Sequence, residues 1–101
     1  MWRYSINNKK WDIVPPAGNI PSPREKFYCT EYFDLGIFLF GGKANEAYSD
    51  FYFFTISTES WDSPKYSGDL PGPRHSGCSV LWGNNVILIG GYNEAGITDE
   101  I

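Results

Sequence analysis

The chain has 101 residues, 8 of them basic and 12 acidic, for a net charge of -4, and 42% of its side chains are apolar and 18% aromatic. That is material for one modest domain, too apolar and aromatic for an intrinsically disordered segment, with apolar runs such as Val86 to Ile89 no longer than a strand. The acidic balance argues against a nucleic-acid surface, since Lys9-Lys10 is the nearest thing to a basic cluster, and neither nucleic acid nor membrane is expected as a partner.

The first twenty residues open on Met1-Trp2-Arg3-Tyr4, with no apolar stretch of the kind a secretory signal needs. No Asn-x-Ser/Thr acceptor follows, and two cysteines without Cys-x-x-Cys spacing suit neither a disulfide scaffold nor a redox motif. A reducing, cytoplasmic setting is the expectation. Residues 27–33 are aromatic-rich and turn at Asp34-Leu35-Gly36. Ile37 to Phe40 is then a continuous apolar run ending at Gly41-Gly42, the pattern of a strand buried on both faces. A polar loop over 43–49 leads to a strand over 51–56 and a short strand around Trp61. The pattern then returns as Cys78 to Trp82, a turn at Gly83-Asn84-Asn85, and Val86 to Ile89 ending at Gly90-Gly91. No segment has a helical period, and the prolines fall in the connections, where no ladder hydrogen bond is lost.

The chain therefore repeats. Pro21-Ser22-Pro23-Arg24 returns as Pro71-Gly72-Pro73-Arg74 after 50 residues, Tyr4 and Trp11 return as Phe54 and Trp61 after 50, and Gly41-Gly42 returns as Gly90-Gly91 after 49. Asp50 then matches Asp99 and Cys29 matches Cys78. This alignment puts the single-residue change of offset between Arg24 and Cys29. Four short antiparallel strands at a period near 50 describe a propeller blade. The expected architecture is all-β: residues 1–20 are the outer strands of one blade, 21–70 a complete repeat, and 71–101 the inner strands of another.

Pro-x-Pro-Arg, an apolar strand ending in Gly-Gly, then Asp, an aromatic and Trp resembles the kelch repeat, here through Gly41-Gly42, Asp50, Phe54 and Trp61 and their partial copies. Phe27-Tyr28 and Ser76-Gly77 stand where many kelch repeats have Gly-His, a departure that alters packing at the channel. The resemblance implies a β-propeller. Two repeat lengths close no ring alone, so the remaining blades are expected from a longer chain, or alternatively from further copies of this one.

Chemistry is weighed against structure at each marked residue. Gly42-Lys43 lacks the spacing of a phosphate loop, and glycine there lets the backbone leave a buried strand. Cys29 and Cys78 read as small buried thiols of the inner strands. His75 is the only histidine, too little for a copper or zinc ligand set, and no Gly-x-Ser-x-Gly elbow is present. Asp50 and Asp99 read as turn carboxylates accepting backbone N–H bonds, and Tyr4, Trp11, Phe54 and Trp61 as blade packing. No catalytic group, metal or cofactor is expected.

An antiparallel meander brings the start of its first strand and the end of its second to one end of the blade. Arg24, Glu25 and Lys43, Asn45, Glu46 therefore share a face with Arg74, His75, Ser76 and Tyr92, Asn93, Glu94. This mix of arginine forks, tyrosine and amides suits a partner protein or peptide, and Arg24 and Arg74 have the competing reading of bracing neighbouring blades. The family resemblance implies acidic or phosphate-free peptide segments at that mouth. The expected role is a non-catalytic interaction scaffold. The alternatives are part of a kelch-containing epimerase or oxidase whose active residues lie in other blades, or part of a cytoskeletal or ubiquitin-ligase adaptor.

Overall fold

A computed structural model describes residues 1–100. It contains only strands: β1 (Trp2–Ser5), β2 (Lys10–Ile13), β3 (Tyr28–Tyr32), β4 (Gly36–Phe40), β5 (Phe51–Thr55), β6 (Ser60–Asp62), β7 (Cys78–Trp82), β8 (Asn85–Ile89), β9 (Tyr92–Asn93) and β10 (Gly96–Ile97). β3-β4-β5-β6 form one antiparallel four-stranded sheet, the complete blade, with β1-β2 as a hairpin before it and β7-β8 as a hairpin after it.

Cross-strand partners share a face of a sheet, and this divides the blade cleanly. Tyr28, Thr30, Phe38, Phe40, Phe51 and Phe53 lie on the side of β7–β8. Cys29, Ile37, Leu39, Tyr52, Phe54 and Trp61 lie on the other. Tyr28 and Phe40 are the two largest fully buried side chains, meeting edge to face at 6.0 Å. The following hairpin packs there through Thr30 and Ser79, whose hydroxyls are hydrogen-bonded to each other. The blade's outer edge is covered by its own linker: residues 17–19 run parallel to β6, Asn19 donating to the carbonyl of Trp61 at 2.8 Å and Trp61 to that of Ala17 at 3.0 Å.

The structure moves the offset change. Lys26 and Ser76, 50 residues apart, both have positive φ (57° and 64°), so the register is still 50 at the entry to the inner strand. Cys78 pairs with Ile89 as Tyr28 pairs with Phe40. The one-residue deletion therefore sits in the hairpin turn, Phe33-Asp34-Leu35 in one blade and Gly83-Asn84 in the next. Cys29 corresponds to Ser79 and Cys78 to Tyr28, so the two cysteines do not hold matching positions. Both are exposed and not buried, because each faces away from the nearest inner strand among the described residues.

A compensating insertion lies at the other end. Tyr48 donates to the carbonyl of Gly42, and Thr98 to that of Gly91, both at 2.9 Å, six residues in one loop and seven in the other. The extra residue is accommodated by the small β9–β10 hairpin, where a plain loop is expected from sequence. Gly41 donates to the carbonyl of Asp50 and Gly90 to that of Glu100, so Glu100, not Asp99, holds the place of Asp50.

Burial on both faces holds only in part. Leu39 and Phe40 are buried, Ile37 and Phe38 half-buried, and Val86 to Ile89 half-buried throughout, since Ile87 and Ile89 face away from the complete blade.

Candidate functional site

The glycine doublet brings adjacent blades together. Gly41 and Gly42 both have positive φ, and a Cβ at either would meet backbone, that of Arg74 or of Glu25. Without side chains, the chain leaves β4 close enough for the Gly42 N–H to donate to the Arg74 carbonyl at 2.9 Å, while Arg74 N–H reaches the Tyr48 carbonyl at 3.1 Å and Ser76 N–H the Lys26 carbonyl at 2.8 Å. These backbone bonds fix the two sets of mouth loops against each other.

Two expected binding residues lie inside the blades. The Arg24 side chain is 3% exposed. Its guanidinium holds both Asp50 carboxylate oxygens, at 2.5 and 3.1 Å, and the carbonyls of Ser22 and Gly41. It lies 4.0 Å from the centre of the Tyr48 ring, and Tyr52 donates to Asp50 at 2.9 Å. Burial works against the charges of Arg24 and Asp50, but the ion pair and its hydrogen bonds outweigh it. The arginine is raised and the aspartate lowered from their ordinary values. Asp50 is therefore chiefly the acceptor for an arginine and a tyrosine, and the backbone N–H bond expected from the sequence is a smaller contribution. Arg74 is likewise buried, donating to the Gly72 carbonyl and pairing with Glu100 at 3.0 Å. Both arginines brace their own blades and offer no free fork.

The other expected residues do meet. Lys43, Asn45, Glu46, His75, Asn93 and Glu94 line one recess of ≈ 220 Å³ between the loops of the two blades. Glu25 and Lys43 exchange backbone hydrogen bonds at 2.9 Å, and His75 and Tyr92 do the same at 3.0 and 2.8 Å, the same bridge one repeat apart. The His75 ring stacks on Tyr92, centroids 5.8 Å apart at 15°, and its Nδ1 lies 2.7 Å from Ser76 Oγ. Partial burial first, then Lys43 and Lys26, push the imidazole below its ordinary value of 6.5, with Glu25 opposing. Near neutrality the histidine is therefore uncharged. Ala47 also lines the recess and carries no signal in the sequence. Among the described residues no three His, Cys, Asp or Glu side chains converge as metal ligands would.

Gly90-Gly91 repeats the doublet, and Tyr4 with Trp11 repeats the packing of Phe54 with Trp61. Asp99 is exposed beside Glu100.

Comparison with known proteins agrees with this architecture. The chain is 29% identical over 99 residues to host cell factor of Drosophila melanogaster, covering 93% of this chain and 7% of that protein. It is 29% identical over 100 residues to Kelch domain-containing protein 3 of Bos taurus, covering 90% of this chain and 26% of that one. It thus spans about a quarter or less of these curated relatives. Among solved structures it is similar to YjhT, with a TM-score of 0.67 and 22% identity over 97% of this chain and 32% of that chain, a likeness of fold. The KLHDC2/KLHL20/DRC7 Kelch-repeats domain matches residues 1–101, and with its repeat structure the chain belongs to the kelch-repeat family of β-propellers.

Proposed function

We propose that the chain is a non-catalytic interaction module that holds a segment of a protein partner at the mouth formed by the loops of its two inner hairpins, without a cofactor. The recess between Lys43, Asn45, Glu46, His75, Asn93 and Glu94 carries this reading. Its residues come from two blades, their backbones are tied to each other, and among the described residues their side chains form no ion pair, unlike those of Arg24 and Arg74. The Tyr92–His75 stack offers a flat anchor, the amides of Asn45 and Asn93 suit a peptide backbone, and Lys43 suits an acidic side chain on the partner while Glu46 and Glu94 suit a basic one. A rigid surface assembled in advance loses little freedom on binding.

The test is selection from a random peptide library against the intact chain. A consensus sequence whose binding is lost in Lys43→Glu and in His75→Ala supports the reading. Failure to select any peptide, or selection indifferent to both substitutions, overturns it.

A further inference from the structure

The guanidinium that holds Asp50 also holds a serine. All five N–H protons of Arg24 are placed: Nε on the Ser22 carbonyl at 3.1 Å, Nη1 on the Gly41 carbonyl and one Asp50 oxygen, Nη2 on the other Asp50 oxygen and, at 3.1 Å, on Ser22 Oγ. Ser22 is exposed and lies outside the strands, between Pro21 and Pro23. A following proline favours extended backbone at Ile20 and at Ser22. Among the described residues none from 20 to 23 makes a backbone–backbone hydrogen bond, so the run is open to a second protein. The other repeat shows that this exposure does not depend on neighbouring blades. Ser22 opens a blade whose four strands are all present, and Gly72, its counterpart, follows that complete blade; both are exposed. Arg74 Nε binds the Gly72 carbonyl at 3.0 Å as Arg24 Nε binds that of Ser22. A Cβ on Gly72 would meet nothing nearer than Arg74 Nη2, at 4.0 Å. A side chain at this position has open room and one neighbour, the guanidinium.

We propose that Ser22 is a phosphorylation site for a proline-directed protein kinase, and that its phosphate draws Arg24 away from Asp50. Ser22 Oγ attacks the γ-phosphorus of ATP; the new O–P bond forms as the bond to the bridging oxygen breaks, ADP leaves, and the hydroxyl proton is lost. The chain has two Ser-Pro pairs, Ser22-Pro23 and Ser63-Pro64. Of the two hydroxyls only that of Ser22 sits on an arginine, whereas Ser63 donates to the Phe51 carbonyl at 3.4 Å. A phosphate of charge about -2 with three acceptor oxygens is a stronger partner for Nη2 than a hydroxyl. It also stands beside the Asp50 carboxylate, and one guanidinium cannot neutralise both. Arg24 and Asp50 tie the two ends of the loop over 43–49: Arg24 donates to the Gly41 carbonyl, and the Asp50 carbonyl accepts from Gly41 N–H at 2.9 Å. Drawing Arg24 to Ser22 therefore loosens the Asp50 end of that loop. Gly72 has no hydroxyl, so only one of the two repeats carries the switch.

The intact chain, incubated with a proline-directed kinase and ATP and mapped by mass spectrometry, is expected to carry phosphate on Ser22, and to lose it in Pro23→Ala. A chain left unmodified at Ser22, phosphate on Ser63 alone, or equal labelling of Pro23→Ala overturns the proposal. Capture by Arg24 is read separately, with phosphoserine placed at position 22 in a Ser63→Ala background, with and without Asp50→Asn. In Asp50→Asn the phosphate replaces the lost carboxylate as the partner of Arg24 and should raise the thermal midpoint by roughly 2–4 °C. With Asp50 in place it should leave the midpoint unchanged or lower it. No rise in Asp50→Asn, or an equal rise in both chains, overturns the proposal as well.

Discussion

Tyr28 lies with its ring where a Cβ on Gly77 would be, and it donates its hydroxyl hydrogen to the carbonyl of Gly90 at 2.5 Å. Tyr28 opens β3, and Gly77 immediately precedes β7, the next inner strand. The large ring of one blade fits because the next blade has no side chain at that point.

Gly77→Ala is therefore expected to destabilise the chain by about 1–3 kcal/mol, since the added methyl must displace a buried ring. Tyr28→Phe removes only the hydroxyl and is expected to cost about 1 kcal/mol, because the Gly90 carbonyl loses its donor. Urea unfolding of both variants, of Tyr28→Ala and of a Gly77→Ala/Tyr28→Ala double variant checks the pair. Truncating the ring should cost clearly less in the Gly77→Ala background than in the parent chain, and strict additivity would contradict the contact.

The Arg24–Asp50 pair is expected to set an acid limit on stability. Asp50 is lowered in the fold. Its contribution is therefore complete above the unfolded value near 3.8 and is lost as pH falls through the lower folded value. Asp50→Asn should reduce stability at neutral pH by roughly 1.5–3 kcal/mol, towards the low end because its side chain is 38% exposed and solvent screens it. The variant should also flatten the acid limb in thermal melts across that range.

His75 gives one imidazole signal in a proton NMR titration, since it is the only histidine. Its midpoint is expected below 6.5, and Lys43→Gln should raise it by removing a neighbouring positive charge. A peptide that places a carboxylate beside His75 should bind more tightly as pH falls through that midpoint, where the imidazole gains a positive charge. A midpoint unmoved by Lys43→Gln would place the lysine elsewhere.

Glu100 and Asp99 separate the observed register from the simplest alignment. Glu100→Ala removes the partner of Arg74 and should lower stability, by well under 1 kcal/mol because the carboxylate is largely exposed. Asp99→Ala should leave the thermal midpoint unchanged.

Most of the blade is legible in the sequence. The glycine doublets and the apolar runs before them mark β4 and β8, and β7 has the bounds the pattern predicts, Cys78–Trp82. The misalignment has a physical cause. Matching Cys29 to Cys78 rewards identity of side chains, whereas the fold conserves backbone geometry, visible in the positive φ of Lys26 and Ser76. The cluster of mouth loops follows from topology alone. That Arg24 and Arg74 are withdrawn from it does not, because Asp50 and Glu100, each 26 residues further along the chain, reach them only through the folded glycine corners.

The deletion at Gly83-Asn84 and the insertion within β9–β10 lie at opposite ends of the blade and leave its period at 50. The mouth can therefore be lengthened without disturbing the strands to which it is fixed, because the added residue is absorbed within the loop itself. For engineering, the segment Asn93-Glu94-Ala95-Gly96 is accordingly the natural insertion point for foreign recognition sequences.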